Sequence, residues 1–479
     1  MSAAAPSRPA RPLSRAALAA VDRSRAQTPP VRIVHIGLGV FHRAHQAWFT
    51  DRAADGAQWG IAAFTGRSPQ AARELASQDG LFTLIERAAQ CDEASVVASI
   101  VAAVDGADLE RFLGLLSTPS TAIVTTTVTE AGYRLDPTGQ PNAADPILSA
   151  DLRYITSAIG RPSLLEQSSA GPRSALGRLL LGLEARRRAD GGPIAIVPCD
   201  NVPGNGTFVA TGLAAMASRT DGDLAAWIAR NVSFVSTSVD RITPKSTPAD
   251  LLAATSLTGW RDQATVVTEP FKDWVLSGEF PAGRPAWESC GARFVSDVEP
   301  FERRKLWLLN GAHQLLAYVG LRRGHETVAE AMADPVCLGA VNEYWDEAAR
   351  GLPIPELDLV SYCAALVERF VNPRIEYKLR QIATDGVAKL RVRIAPVVLA
   401  ERADGRDGAA SLRALGAWLA LILGGAEFAD TEAAAVAASA RKPLRAAVDA
   451  LVGLVEPRLV EDPLVMSSLA RIAAQGGSA

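Results

Sequence analysis

The chain has 479 residues, 48% of them hydrophobic, enough for two or three domains with sizeable cores. Lys+Arg 49 against Asp+Glu 52 leaves a net charge of -3, which gives no reason to expect nucleic acid or an anionic membrane as partner; a small molecule or another copy of the chain remains. The five cysteines (Cys91, Cys199, Cys290, Cys337 and Cys363) are scattered without a CxxC pair, which argues against a disulfide framework or structural zinc and for a reduced, cytoplasmic compartment. No apolar run reaches the roughly 18 residues that a membrane helix needs.

Residues 1–30 are rich in Ala, Arg, Pro and Ser, with Asp22 as their one acid. They are expected to form a mobile arm with one short helix around Arg15–Val21; a transit peptide is the other reading of that composition. Val31–Ile36 is a β-branched run, followed by Gly37-Leu38-Gly39 and a helical stretch through Asp51. Gly60–Thr65 reads as the next strand, and Leu81–Arg87 with Ser95–Ile100 as a strand pair. Thr121–Thr127 and Pro193–Val197 have the texture of buried parallel strands. Strands alternating with helices from residue 31 to about 240 predict a Rossmann-like, doubly wound α/β domain over 31–296. From 297 to 479 the pattern becomes helical, over Pro300–Val319, Thr327–Ala333, Cys337–Ala349, Leu357–Phe370 and Ala409–Leu423. An Ala-rich stretch, Thr431–Leu454, should be split by Pro443.

Gly37-Leu38-Gly39-Val40-Phe41-His42 carries the first two glycines of a dinucleotide fingerprint, with His42 in the third place. Gly37 permits the tight turn, and Gly39 lets the backbone approach a pyrophosphate at the helix N-terminus. An ordinary strand-to-helix turn would look the same in isolation. Thr127, ending its strand, joins Gly37, Gly39, Phe41 and His42 as a candidate cofactor residue. The second strand ends in Thr65-Gly66-Arg67-Ser68 without the acid that would hold a free ribose 2′-hydroxyl. Arg67 is either a ligand for the 2′-phosphate of NADP or a solvated turn residue.

The densest chemistry lies in Pro300–His313. On a helix turning about 100° per residue, with Lys305 at the origin, Glu302 falls at roughly 60°, His313 at roughly 80° and Asn310 at roughly 140°. These four polar groups share one arc among Leu306, Trp307, Leu308 and Leu309. Burial lowers a lysine's pKa, so Lys305 can serve as a base that takes a hydroxyl proton during alcohol oxidation. Asn310 can donate to the developing alkoxide. The alternative is a lysine that snorkels to solvent and a core histidine. Cys199-Asp200-Asn201 follows a strand end, where Asn201 could supply a second amide; Asn205 reads as a helix cap. Neither a Tyr-x-x-x-Lys pair nor a His-Glu-x-x-His zinc motif occurs, so no metal is expected.

These motifs resemble those of the mannitol dehydrogenase family, the polyol-specific long-chain dehydrogenases. The resemblance rests on Gly37–Gln46, Gln78-Asp79-Gly80-Leu81, Val128–Tyr133, Cys199-Asp200-Asn201, Val239–Pro244 and the Lys305/Asn310/His313 pattern, in that order, and runs from about residue 31 to 395. It implies a metal-independent, NAD-dependent enzyme of two domains, monomeric or weakly homo-oligomeric, acting on an open-chain polyol of the mannitol/fructose type. Fructuronate or tagaturonate reductase is the alternative within the class, and a nucleotide-binding regulator without catalysis the alternative outside it. It further implies Lys305 as acid/base, Asn201 with Asn310 as an oxyanion-type pair, His313 on a substrate hydroxyl, Asp240 lining the site and Glu302 relaying protons. Arg374, Lys378, Arg380 and Lys389 lie where the family places substrate contacts, and Arg380 and Lys389 are the chosen pair. Gln381 stands near a place where a basic residue is expected. The family's usual NAD preference and the reading of Arg67 diverge, so NAD and NADP both stand.

Overall fold

A computed structural model describes residues 10–142, 144–165 and 171–474. The chain divides into two compact units, Met1–Glu299 and Pro300–Ala479.

The first unit is built on a six-stranded parallel sheet of β1 (Val31–Ile36), β2 (Gly60–Phe64), β3 (Ile100–Val104), β4 (Ile123–Thr126), β5 (Ile194–Pro198) and β6 (Val232–Phe234). Their spatial order is β3-β2-β1-β4-β5-β6, the doubly wound arrangement whose order reverses beside β1. Alternate residues of each strand enter opposite cores. Ile33, Ile61 and Ile123 face one, while Val34, Ala62 and Val124 face the other. Burial on both faces explains why these strands read as continuous apolar runs. The expected pair Leu81–Arg87 with Ser95–Ile100 is observed as Phe82–Arg87 antiparallel to Asp92–Val97. Ile100 instead begins β3, because the chain leaves the hairpin at Ala98-Ser99.

The arm departs from expectation. Its helix, Arg15–Ala19, is present, but from residue 10 the segment is docked and not mobile; residues 1–9 lie outside the described residues. Arg11–Pro12 pairs with Trp260–Arg261, Leu13 and Leu18 are buried, and the Arg15 guanidinium donates to the carbonyls of Gln27, Asp79, Ala98 and Ile100. Two leucines and one arginine give this segment enough apolar burial and charge-assisted bonding to offset the entropy of ordering it.

The glycine turn after β1 is held from below by histidine. Gly37 sits at φ +111°, and a Cβ there would lie 2.4 Å from the Thr127 carbonyl oxygen, so only glycine fits. The Thr127 hydroxyl donates to the Gly37 carbonyl at 2.8 Å. His35 Nε2 therefore donates to Thr127 Oγ1 at 3.1 Å, and Nδ1 accepts from Thr125 at 2.8 Å. His42, at the third fingerprint position, stacks on His35 with ring centroids 3.4 Å apart. Both rings are fully buried.

The second unit is helical, as expected. Its centre is one long helix running from Glu299 to Arg322, α-helical at both ends and π-helical over Lys305–Gly311. Ala409–Leu423 and Pro335–Arg350 pack against it. The Ala-rich stretch is split at Pro443 into Ala433–Ala440 and Leu444–Val455. Gly408 opens the helix Ala409–Leu423 without a side-chain cap; Glu347 accepts instead from the amides of Ala410 and Ser411, an anion at the positive end of the dipole. No described helix is long and apolar enough to cross a membrane.

Burial pushes His35 down to about 3, and His42 is likewise held well below its ordinary value, first by burial and then by the neighbouring His35. The unfolded chain protonates these rings near pH 6.5 while the folded protein does not. The stability they contribute is therefore whole above about pH 6.5 and is lost as pH falls towards about 3, by up to about 1.4 kcal/mol per pH unit for each ring. Urea unfolding of the wild type and His35→Gln at pH 7, 6 and 5 should show a shallower acid loss in the variant. Equal slopes would remove His35 as their source.

Candidate active site

The helix start in the first unit has the chemistry of a dinucleotide cradle. The amides of Gly37 and Leu38 both donate to the Phe64 carbonyl at 2.9 Å, which fixes the turn between β1 and β2. At Gly39, the N-cap of the helix beginning at Val40, an added Cβ would meet only the Gly37 carbonyl oxygen, at 3.5 Å. That open approach beside a helix N-terminus suits a pyrophosphate. The helix carries a π-helical segment, Arg43–Ala47, and Phe41 is half-buried with its ring 5.1 Å from that of His45. Thr65 is buried, and its hydroxyl accepts from the Gly106 amide at 2.9 Å. Arg67, two residues on, is exposed.

At the end of β5 the Tyr133 hydroxyl donates to Asp200 at 2.5 Å, and the Val202 amide donates to the other Asp200 oxygen at 3.0 Å. This Asx turn presents Asn201, which is exposed. Burial is the main influence on Asp200 and raises it above the ordinary carboxylate range. Asn205 is not the helix cap expected of it. Gly204 holds that position, while the buried Asn205 side chain exchanges hydrogen bonds with Thr237 and donates to Pro198, tying two strand ends together. Asp240 ends the strand Ser236–Asp240 and is nearly buried. The next residue, Arg241, donates to the carbonyls of Ala44 and Glu269 and pairs with Glu86. Gln78 and Asp79 are structural: Gln78 bonds Leu81 and Asp262, and Asp79 accepts from the Arg15 amide.

In the second unit, the expected 140° between Lys305 and Asn310 requires correction. The wheel assumed α-helical turns, whereas Lys305–Gly311 is π-helical. Bonding from i to i+5 lowers the rotation per residue, so Asn310 falls nearer the face of Lys305 than the α-helical wheel places it. His313 follows three residues later on the neighbouring part of that face. Glu302 precedes Lys305 in the α-helical first turn. Lys305, Asn310 and Glu302 are half-buried, while His313 is buried, stacked on Phe370 at 4.4 Å and edge-on to Tyr377 at 5.1 Å. The wider turn is supported from outside. The Tyr344 hydroxyl lies 3.0 Å from the Trp307 carbonyl, and Trp345 Nε1 donates to the Leu308 carbonyl at 2.8 Å. A Cβ on Gly311 would lie 2.0 Å from the Tyr344 oxygen, so glycine is required where the hydroxyl enters.

The basic substrate candidates divide. Lys389 is half-buried and donates to the Ile382 carbonyl and the Thr384 hydroxyl, and burial lowers its pKa. Arg380 is exposed, with its guanidinium over the Phe428 ring at 5.6 Å. Sequence reasoning missed Tyr344, Trp345, Phe370 and Tyr377, whose roles depend on helix packing and leave no local pattern. It also missed a grouping of possible metal ligands. His325, Asp334 and Cys337 place one ligand atom each within 4.8 Å. Asp334 is occupied there: it caps the following helix through the Val336 amide and accepts from Arg323 and His325, which hold it well below the ordinary carboxylate range.

Residues 31–289 match the mannitol dehydrogenase Rossmann domain and residues 297–444 the mannitol dehydrogenase C-terminal domain. A D-mannonate oxidoreductase of Escherichia coli (strain K12) is 37% identical over 385 residues, covering 78% of this chain and 75% of the relative. A mannitol 2-dehydrogenase of Aspergillus terreus (strain NIH 2624 / FGSC A1156) is 36% identical over 378 residues, covering 76% and 73%. The solved structure of Pseudomonas fluorescens mannitol 2-dehydrogenase in ternary complex with NAD and D-mannitol superposes with a TM-score of 0.75 at 32% identity, covering 95% of this chain and 93% of that one. With both halves matched in order, the chain belongs to the mannitol dehydrogenase family.

Proposed function

We propose that this protein catalyses reversible oxidation of a secondary alcohol on an open-chain polyol or sugar acid, without a metal. The observation that carries the reading is the π-helical turn over Lys305–Gly311, which turns Asn310 towards the face of Lys305 on a helix otherwise largely buried in its unit. When bound, a nicotinamide dinucleotide accepts the hydride in oxidation and returns it in reduction. Lys305, as the neutral amine, takes the hydroxyl proton, and Glu302, three residues earlier on the helix, passes it onward. The Asn310 amide donates to the oxygen as charge develops there. His313, held edge-on by Tyr377 and flat by Phe370, offers a ring nitrogen to a neighbouring substrate hydroxyl. Asn201 keeps the amide role that the family resemblance gives it, and Asp240, Arg380 and Lys389 remain substrate candidates. The five cysteines are free, which fits a reducing, cytoplasmic compartment. We assign the protein as a monomer or weak homo-oligomer.

NAD is the cofactor that the ternary complex of the Pseudomonas relative contains. The residues of this chain add NADP, because β2 leads into Arg67 with no carboxylate to repel a 2′-phosphate, and Arg67 is exposed and available to an incoming ligand. Gly37, Gly39, Phe41, His42 and Thr127 would hold the shared pyrophosphate end.

Lys305→Ala should lower kcat for alcohol oxidation near neutral pH by about 100- to 10,000-fold, with dinucleotide affinity, read by fluorescence titration, almost unchanged. A variant within a few-fold of wild-type kcat takes Lys305 out of the reaction. Both dinucleotides should support turnover. Arg67→Ala should lower kcat/KM for NADP about 10-fold more than for NAD, as expected for a partly solvated charged hydrogen bond. An unchanged ratio makes Arg67 a turn residue.

A further inference from the structure

The helix that carries Lys305 ends at a cluster of three side chains that the proposed reaction does not use. Its last segment, Ala312–Arg322, is closed by Gly324 at φ +85°, where the Gly324 amide donates to the Leu321 carbonyl at 3.1 Å and the His325 amide to the Gly320 carbonyl at 3.0 Å. This paired closure fixes the point at which His325 leaves the helix. The helix Pro335–Arg350 supplies the other two members. Asp334 is its N-cap, with Oδ1 accepting from the Val336 amide at 2.9 Å, and Cys337 lies in its first turn. An imidazole nitrogen, a carboxylate oxygen and a sulfur thereby stand within 4.8 Å of one another. His325 Nε2 is 2.9 Å from Asp334 Oδ2.

The cluster already holds a cation. The Arg323 guanidinium donates through Nε to Asp334 Oδ2 at 2.5 Å and also interacts with the Cys337 sulfur. Arg323 is exposed, whereas Cys337 is buried and His325 and Asp334 are half-buried. A long exposed side chain swings into water at little cost, because a solvated ion pair contributes little. The other three side chains are each set by a helix end. Imidazole, carboxylate and thiolate are the ligand types that zinc takes. Their charges also fit: one thiolate and one carboxylate balance a dication, and the imidazole is neutral. Ligand atoms around tetrahedral zinc stand about 3.5 Å apart, so closing from 4.8 Å or less asks for shifts of about 1 Å.

We propose that His325, Asp334 and Cys337 bind one zinc ion, which displaces the Arg323 guanidinium and takes water as its fourth ligand. The ion forms bonds to Nε2, Oδ2 and Sγ; the thiol proton passes to water, the ring proton resides on Nδ1, and no electron moves. The ion ties the end of the helix that carries His313 to the helix that carries Tyr344 and Trp345, the two residues that support the π turn. None of its ligands has a part in the proposed hydride transfer. The site therefore stabilises the second unit and leaves the metal-free chemistry as it stands.

The test titrates the full-length protein, stripped with EDTA and desalted, with Co2+ as a spectroscopic stand-in for zinc. One equivalent should give a thiolate-to-cobalt charge-transfer band together with the visible bands of a tetrahedral ion, and zinc should bleach both. Cys337→Ser should abolish the charge-transfer band, while Cys91→Ser, at an exposed cysteine of the first unit, should keep it. His325→Ala should weaken cobalt binding at least about tenfold. Arg323→Gln should tighten it about fivefold, since a positive charge leaves the site. That variant keeps every ligand and changes only an exposed side chain, so it decides the matter even if Cys337→Ser fails to fold. Saturating zinc should raise Tm in the wild type and not in Cys337→Ser. A wild type without the thiolate band, a band that survives Cys337→Ser, or an Arg323→Gln that binds cobalt no tighter than the wild type overturns the assignment.

Discussion

Two hydrogen bonds to one helix organise the proposed chemistry of the second unit. Tyr344 reaches the Trp307 carbonyl and Trp345 donates to the Leu308 carbonyl. A π turn spaces its backbone groups more widely than an α turn and is ordinarily a rare, short feature. Side-chain donors at consecutive carbonyls offset the poorer internal bonding, and Gly311 clears the space through which the tyrosine enters. The consequence is geometric. Asn310 turns nearer the face of Lys305 than an α-helix would place it, which is what the proposed joint action on one substrate oxygen requires.

The first unit solves a related problem differently. Its glycine turn has to bend sharply and leave room for close approach at Gly39, and it is fixed from beneath by neutral imidazoles. His35 reads the hydroxyls of Thr125 and Thr127 while His42 lies flat on it. The third glycine of the usual fingerprint gives close packing by having no side chain; here a ring stack fills that place. Both units thus support their polar turns with buried aromatic or imidazole groups, leaving the outward face for ligand.

Much of this was legible in the sequence because the signals were local. Apolar runs marked four of the six sheet strands, Gly37 announced its turn, and Pro443 split its helix where steric exclusion demands. What was hidden depended on partners distant in sequence. A helical wheel at fixed pitch could not show a π segment imposed by Tyr344 and Trp345, some 37 residues away. Residues 10–30 read as a loose arm because Leu13, Leu18 and Arg15 are sparse among Ala, Pro and Arg, yet each finds a specific seat. Asn205, in a turn-forming sequence, became a bridge between strand ends because Thr237 lies across from it.

Lys305 and Asn310, drawn towards one face by the π turn, are proposed to act as one unit on the substrate oxygen. A double-mutant cycle on kcat/KM reads that coupling directly, with Lys305→Ala, Asn310→Ala and the double variant assayed on the best substrate. Groups that serve the same transition state are not additive, so the double variant should fall within about threefold of Lys305→Ala alone. If the two losses multiply, so that their free energies add within about 0.5 kcal/mol, the residues act independently and the geometric account is contradicted.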